Sequence, residues 1–402
     1  MPKNIVIFCD GTGNEIKENQ SNVLKFYRIL KKDASQVAFY DPGLGPISNG
    51  GAWSAFKNQL TVVFGLATVV GLDANVLDAY RFLIRTYRKD DRIYLFGFSR
   101  GAYTVRVLAG FLNLIGLLEP EQVHLASYAL TAYKQASQKD DFQIAWRVQE
   151  ILATRRVTIR FMGCWDTVGS VIVPRPDRFY IPSLESLPHT HRNPCVRVFR
   201  QAMAIDEKRR MFRLQPWEDP QPFKTNPFIK DEDATQQDIK QVWFAGVHAD
   251  IGGGYPEEES GAAKIPLEWM VEEARQHGLK YRETMVKRLV RGKNPKNSTR
   301  NYVAPDPNAL LHDSMNFAWR ILEWIPKHVK WRDWPKRRSF LGYYLPRSEP
   351  RFIAADADIH PTVRMRKVST RKDRPYRPVN LPPTAAGSTP EHAAETARSH
   401  AK

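Results

Sequence analysis

The chain is poor in sulfur, in long apolar runs and in acid. Only 3 of its 402 residues are cysteine. An odd number of scattered thiols supplies neither a disulfide framework nor a zinc-ligand set. Cys9 and Cys164 each end an apolar run and read as small buried side chains. The longest apolar run, Leu60 to Leu72, falls well short of the ~20 residues of a membrane-spanning helix. The opening MPKNIVIFCD has one lysine and a brief apolar stretch, so it reads as a first strand and not as a secretory signal. No internal repeat and no Gly-x-x-x-x-Gly-Lys-Ser/Thr phosphate cradle is present. These absences predict a cytoplasmic protein of a reducing compartment, working without a metal or other cofactor.

The shortage of acid is local. The formal net charge is +17, and from Tyr281 onward Lys and Arg outnumber Asp and Glu by 25 to 11. The first 280 residues are nearly balanced, 35 against 32. A basic C-terminal third suits an anionic partner, a lipid surface or nucleic acid, and equally a solvated basic face. At 42% hydrophobic and 11% aromatic residues, the composition is that of a globular enzyme.

Strand-like and helix-like segments alternate along the chain. IVIFCD (5–10), RIYLFGF (92–98), VTIRFMGCW (157–165) and QVWFAGV (241–247) are short β-rich apolar runs. NVLDAYRFLIRTYRK (75–89) puts Val76, Leu77, Tyr80, Leu83, Ile84 and Tyr87 on one helical stripe, and a second helix is expected from Gly101 to about Leu117. Strands buried on both faces and separated by helices imply an α/β fold with a mostly parallel sheet and helices on each side. Residues 1–345 read as the catalytic body, with a mobile apolar lid or a core segment near 47–74. Residues 346–402 read as a basic, Pro-rich extension whose last ~20 residues are too poor in large apolar side chains to order.

The strongest chemical signal is Gly97-Phe98-Ser99-Arg100-Gly101, set between a predicted strand and a predicted helix. That is the setting of a nucleophile elbow, in which a tight turn lifts a serine to the end of the sheet. The competing reading is an N-capping serine. His248, just past the strand 241–247 and just before Gly252-Gly253-Gly254, has the best setting for a base. His189 and His191 lie in irregular sequence, while His277 and His312 look helical. Asp166 follows the strand 157–165 and is the expected acid; Asp206, heading the basic helix-like AIDEKRRMF, and Asp250, beside the glycine loop, are its rivals. The order Ser99, Asp166, His248 matches the Ser…Asp…His order of α/β-hydrolases. The oxyanion donors are expected from Arg100 and from the Gly11–Thr12 turn. Read as an aspartyl phosphatase loop, Asp10-Gly11-Thr12 would need an aspartate where Phe8 stands.

FCDGTGN (8–14), YDPGLGP (40–46), DRIYLFGFSRGAYTVRVLAGF (91–111), GCWDTVGS (163–170), AIDEKR (204–209) and WFAGVHADIGGGY (243–255) together resemble the α/β-hydrolase catalytic domain of the type VI secretion phospholipase effectors. The resemblance implies a Ser99–Asp166–His248 triad, metal-free phospholipase A-type ester hydrolysis, and a type VI apparatus and an immunity protein as partners. Those effectors add a large membrane-anchoring region, whereas here a short basic tail follows. Ester hydrolysis is therefore the first expectation and membrane phospholipid the second. NFAWRILEWIPKHVKWRDWPKRR (316–338) interleaves Trp319, Trp324, Trp331 and Trp334 with basic residues, a mix suited to an anionic membrane surface or to a helix covering the sheet. The alternative from another class is a non-catalytic lipid- or nucleic-acid-binding protein on a hydrolase scaffold.

Overall fold

The computed structural model describes residues 2–11, 19–43, 69–139, 142–169, 171–174, 182–185, 189–226, 229–329, 332–334, 338–369 and 375–382. Seven strands form one sheet: β1 (Asn4–Cys9), β2 (Gln36–Asp41), β3 (Arg92–Phe98), β4 (Ile159–Trp165), β5 (Val198–Ala204), β6 (Asp238–Phe244) and β7 (Asp358–Ile359). Their order across the sheet is β7-β6-β5-β4-β3-β1-β2, and every neighbouring pair is parallel. With helices on both faces, this is the expected α/β-hydrolase-like architecture.

Side chains of a strand point alternately to its two faces, and β1 is apolar throughout. Ile5 and Ile7 therefore enter one core while Val6 and Phe8 enter the other. The first core is covered by α2 (Val69–Thr86), α3 (Arg100–Leu114), α4 (Ala126–Lys139) and α5 (Phe142–Leu152). The second is covered by α1 (Asn22–Ile29) and α7 (Gly261–Gln276); the short α6 (His248–Gly252) lies between β6 and α7. Ser21 caps α1 by accepting from Leu24 N at 3.0 Å. All three cysteines are buried and free.

The strands expected at 5–10, 92–98, 157–165 and 241–247 coincide with β1, β3, β4 and β6. β6 begins earlier and ends at Phe244, leaving 245–247 as the turn into α6. β2 and β5 carry Gln36, Arg200 and Gln201, which are buried and bonded; these polar residues hid both strands from a reading based on apolar runs. Asp206 lies in a bend rather than a helix, and His312 lies outside any helix or strand. Most of the expected lid, 47–68, lies outside the described residues, and 69–74 opens α2.

The compositional boundary at 345/346 does not coincide with a break in packing. β7 pairs with β6, and His360 N donates to Trp243 O at 3.0 Å. Ile353 and Val363, the latter on α9 (Pro361–Val368), join Met203, Ile205 and Trp243 in a third apolar cluster. A few apolar residues spaced among Pro and Arg suffice to seat this stretch on the sheet edge. Residues 383–402, which include the end expected to be disordered, lie outside the described residues.

Candidate active site

The chain leaves β1 for β2 on one side of the sheet and returns to β3 on the other. A crevice opens outside the carboxyl ends of strands at such a reversal, and ligands gather there. Asp10 and Gly11 follow β1 at this point, and Ser99 follows β3. Phe98 stands beside Trp165, and Trp165 beside Ala202, so Ser99 and Asp166 leave the sheet as neighbours. Ser99 N donates to Trp165 O at 3.0 Å, and Asp166 N to Ala202 O at 2.8 Å.

The glycines of the pentapeptide are dictated by contact. A Cβ on Gly101 would stand 2.1 Å from Cys9 O, and one on Gly97 would stand 2.5 Å from the Gly101 backbone. The start of α3 is thus pressed onto the end of β1. The turn between β3 and α3 holds Ser99 at φ 56° and ψ −121°, a strained conformation for a residue with a side chain. The Ser99 side chain makes no capping bond to α3.

Asp166 also has a positive φ, 41°, and is fully buried. Its Oδ2 lies 2.5 Å from His248 Nδ1. His248 is 5% exposed and lies at the start of α6, between the rings of Phe98 and Phe212 at centroid distances of 4.6 Å and 4.9 Å. Gly252 permits this approach, since a Cβ there would strike the Phe98 ring. Burial alone would raise the Asp166 pKa, but Arg351 and His248 override it and hold the carboxyl well below its usual range. An ionised carboxylate only accepts, so Nδ1 carries the imidazole proton and Nε2 keeps its lone pair. Burial pulls the His248 pKa down, and Asp166 opposes that pull.

The rival acids are engaged elsewhere. Asp206 accepts from Gly246 N at 2.7 Å and from the Tyr376 hydroxyl at 2.8 Å. Asp250 accepts from Val247 N at 3.0 Å and faces His312 Nδ1 at 2.6 Å. Both shape the loop that carries His248. His189 and His191 belong to a separate region, where His191 Nδ1 faces Pro216 O.

Arg100 is the first residue of α3, so its N–H has no acceptor within the helix. Gly11 N donates to Asp10 Oδ1 at 2.7 Å, which occupies that amide. Asp10 also accepts from the Ser21 and Tyr40 hydroxyls, tying the β1 turn to α1 and β2. Thr12 lies outside the described residues.

Two partners of this cluster carried no sequence signal of their own. Arg351 donates to both oxygens of Asp166, at 2.5 Å and 3.0 Å. Glu207 accepts from His248 N at 3.2 Å and from Arg209; burial would raise its carboxyl, but Arg209 draws it down to about 2. Glu207 lies within AIDEKR, where only its neighbour Asp206 reads as a candidate acid, and Arg351 is 185 residues from Asp166. Among the described residues no group of three or more His, Cys, Asp or Glu is placed to hold a metal ion.

Residues 3–273 match the family model of the type VI secretion phospholipase effector Tle1-like catalytic domain. The chain belongs to this family. An uncharacterized protein of Saccharomyces cerevisiae is 32% identical over 230 residues, which are 52% of this chain and 32% of that protein. A crystal structure of an uncharacterized Pseudomonas aeruginosa protein aligns with 17% identity and a TM-score of 0.38, over 70% of this chain and 46% of the other. The Tle1 effector bound to the VgrG spike of the type 6 secretion system aligns with 18% identity and a TM-score of 0.29, over 65% and 53%. The chain thus spans about a third of the yeast relative and about half of each solved chain. The family model describes the catalytic domain of phospholipase effectors.

Proposed function

We propose that the chain is a serine-dependent carboxylic ester hydrolase of phospholipase A type, working through Ser99, Asp166 and His248. The observation that carries the reading is the 2.5 Å contact between Asp166 Oδ2 and His248 Nδ1, made beside the strained turn of Ser99. In this mechanism His248 Nε2 takes the Ser99 proton as Oγ attacks the ester carbonyl. Asp166 holds the ring through Nδ1 and stabilises the imidazolium. The Arg100 N–H receives the oxyanion, with a second donor expected from the Gly11–Thr12 turn, where the Gly11 amide is already given to Asp10 Oδ1. The leaving alcohol takes the proton from His248, and water then hydrolyses the acyl-enzyme by the same route in reverse.

A phospholipid presented at a membrane is the proposed substrate. Phe317 and Ile321, one turn apart on α8 (Phe317–Leu322), are largely exposed, as are Trp324, Phe340 and Leu341. Arg347 stacks on Trp324, mixing cation with apolar surface. Trp319 points inward to Phe212, which touches His248, so this face is linked to the site through two rings. Trp334 is tied to Pro350 O at 2.7 Å, and Trp331 lies outside the described residues. Among the described residues no helix is long and apolar enough to cross a membrane. The family's own name ties it to type VI secretion, and delivery by such an apparatus belongs to the same proposal.

The test is turnover of phosphatidylglycerol vesicles and of a monomeric short-chain ester by wild type and Ser99→Ala. Wild type hydrolyses both and the folded variant neither. Retained hydrolysis by Ser99→Ala overturns the assignment.

A further inference from the structure

We infer that Arg351 is a positioning residue of the active site, so that the working unit is an Arg–Asp–His–Ser relay closed by the C-terminal segment. The inference rests on the triad reading above. Asp166 has two carboxylate oxygens and three claims upon them. His248 Nδ1 takes Oδ2, Ala204 N donates to Oδ1 at 2.9 Å, and the Arg351 guanidinium spans both oxygens. A planar fork fixes the rotation of a carboxylate as a single donor cannot. With Arg351 seated, Oδ2 is held toward the imidazole.

The guanidinium is itself immobilised. Its two Nη groups also donate to Ala204 O at 3.2 Å and to Phe212 O at 2.7 Å. Asn380 Nδ2 donates to Arg351 O at 3.0 Å and to Ile205 O at 2.9 Å, pinning the backbone that carries the arginine to the end of β5. Phe212, which receives Arg351, also packs its ring on His248. Arg351 and Asn380 both lie beyond residue 273, where the family match ends. The matched region thus supplies serine, acid and base, and a later segment fixes the acid.

A second consequence is electrostatic. The charged groups facing His248 are Asp166 at its Nδ1, Glu207 at its backbone, Arg209 paired with Glu207, and Arg351 sharing Asp166 Oδ2. Arg351 neutralises part of the charge that would otherwise stabilise the imidazolium. It therefore keeps His248 neutral to lower pH, in the same direction as burial. The acid limb of kcat/KM reports the pH at which the base protonates in free enzyme, and in wild type it should lie below the ordinary histidine value of ~6.5.

The experiment is the pH profile of short-chain ester hydrolysis by the full chain, comparing wild type, Arg351→Gln and Arg351→Lys. Arg351→Gln loses the cation and the fork. Its kcat should fall at least about tenfold with KM little changed, and its acid limb should move up by about one pH unit. Arg351→Lys keeps the charge without the fork, so its kcat should fall while the acid limb stays near wild type. A folded Arg351→Gln with wild-type kcat and acid limb overturns the inference. If Arg351→Gln does not fold, Arg351→Lys decides, with kcat taken per fluorophosphonate-reactive serine so that a lowered active fraction does not count, and unchanged kcat there overturns it. A merely structural arginine would lower the active fraction without moving the acid limb. Wild-type enzyme without hydrolytic activity would instead refute the triad reading itself.

Discussion

Ser99, Asp166 and His248 each do something that a purely structural residue at the same place would not need to do. Ser99 sits in a strained backbone conformation yet leaves α3 uncapped. Asp166 is fully buried, and its charge is offset by an arginine more than 180 residues away. His248 is buried between two rings with one nitrogen held by a carboxylate. The account predicts that Asp166→Asn lowers kcat by about 10⁴, because the amide can donate to Nδ1 and select the wrong tautomer. Asp206→Asn should lower kcat far less, since that carboxylate serves the Gly246 amide and Tyr376. Steady-state kinetics of the two variants checks the assignment; equal losses would mean that Asp206 matters as much as Asp166. The position of these three residues at strand ends was legible because each follows an apolar strand. Arg351 was not legible, since no local pattern in Glu349-Pro350-Arg351-Phe352 announces a contact with a strand end so distant in the chain.

At the scale of elements, the site depends on how closely α3 approaches β1. The contact at Gly101 is backbone against backbone, with no flexible side chain to give way. Gly101→Ala should therefore cost about 3 kcal/mol or more, at the upper end for overpacking, and lower the thermal midpoint. Calorimetry and circular dichroism read this out, and an unchanged midpoint would show that the close approach is not as described. The same elements explain what apolar runs can and cannot reveal. β1 and β3 are continuous apolar stretches and declare themselves. β5 contains Arg200, which is 1% exposed and lies in the sheet only because Glu273 of α7 and Asp238 of β6 meet it there. Its character is set by partners that are far away in sequence.

For the whole molecule, the excess of positive charge in the last third suggested a tail and an anionic partner. The charge count reads surface character, and a segment with a charged surface can still be packed. Residues 346–369 and 375–382 contribute β7, α9, Arg351 and Asn380 to the same body as β1 to β6. The exposed apolar residues on and near α8 are the lipid contact proposed above. The double substitution Phe317→Glu and Trp324→Glu should lower turnover of anionic vesicles at least about tenfold and leave a monomeric ester unaffected. A parallel loss on both substrates would assign the two side chains to the fold, and no loss on vesicles would remove this face from lipid binding.

The central claim is that Ser99 is an activated nucleophile. Its most direct test is the intact mass of the full chain after incubation with a fluorophosphonate, for wild type beside Ser99→Ala. The account predicts one adduct on wild type and none on the variant. An unmodified, well-folded wild type, or an adduct that persists in Ser99→Ala, would contradict it.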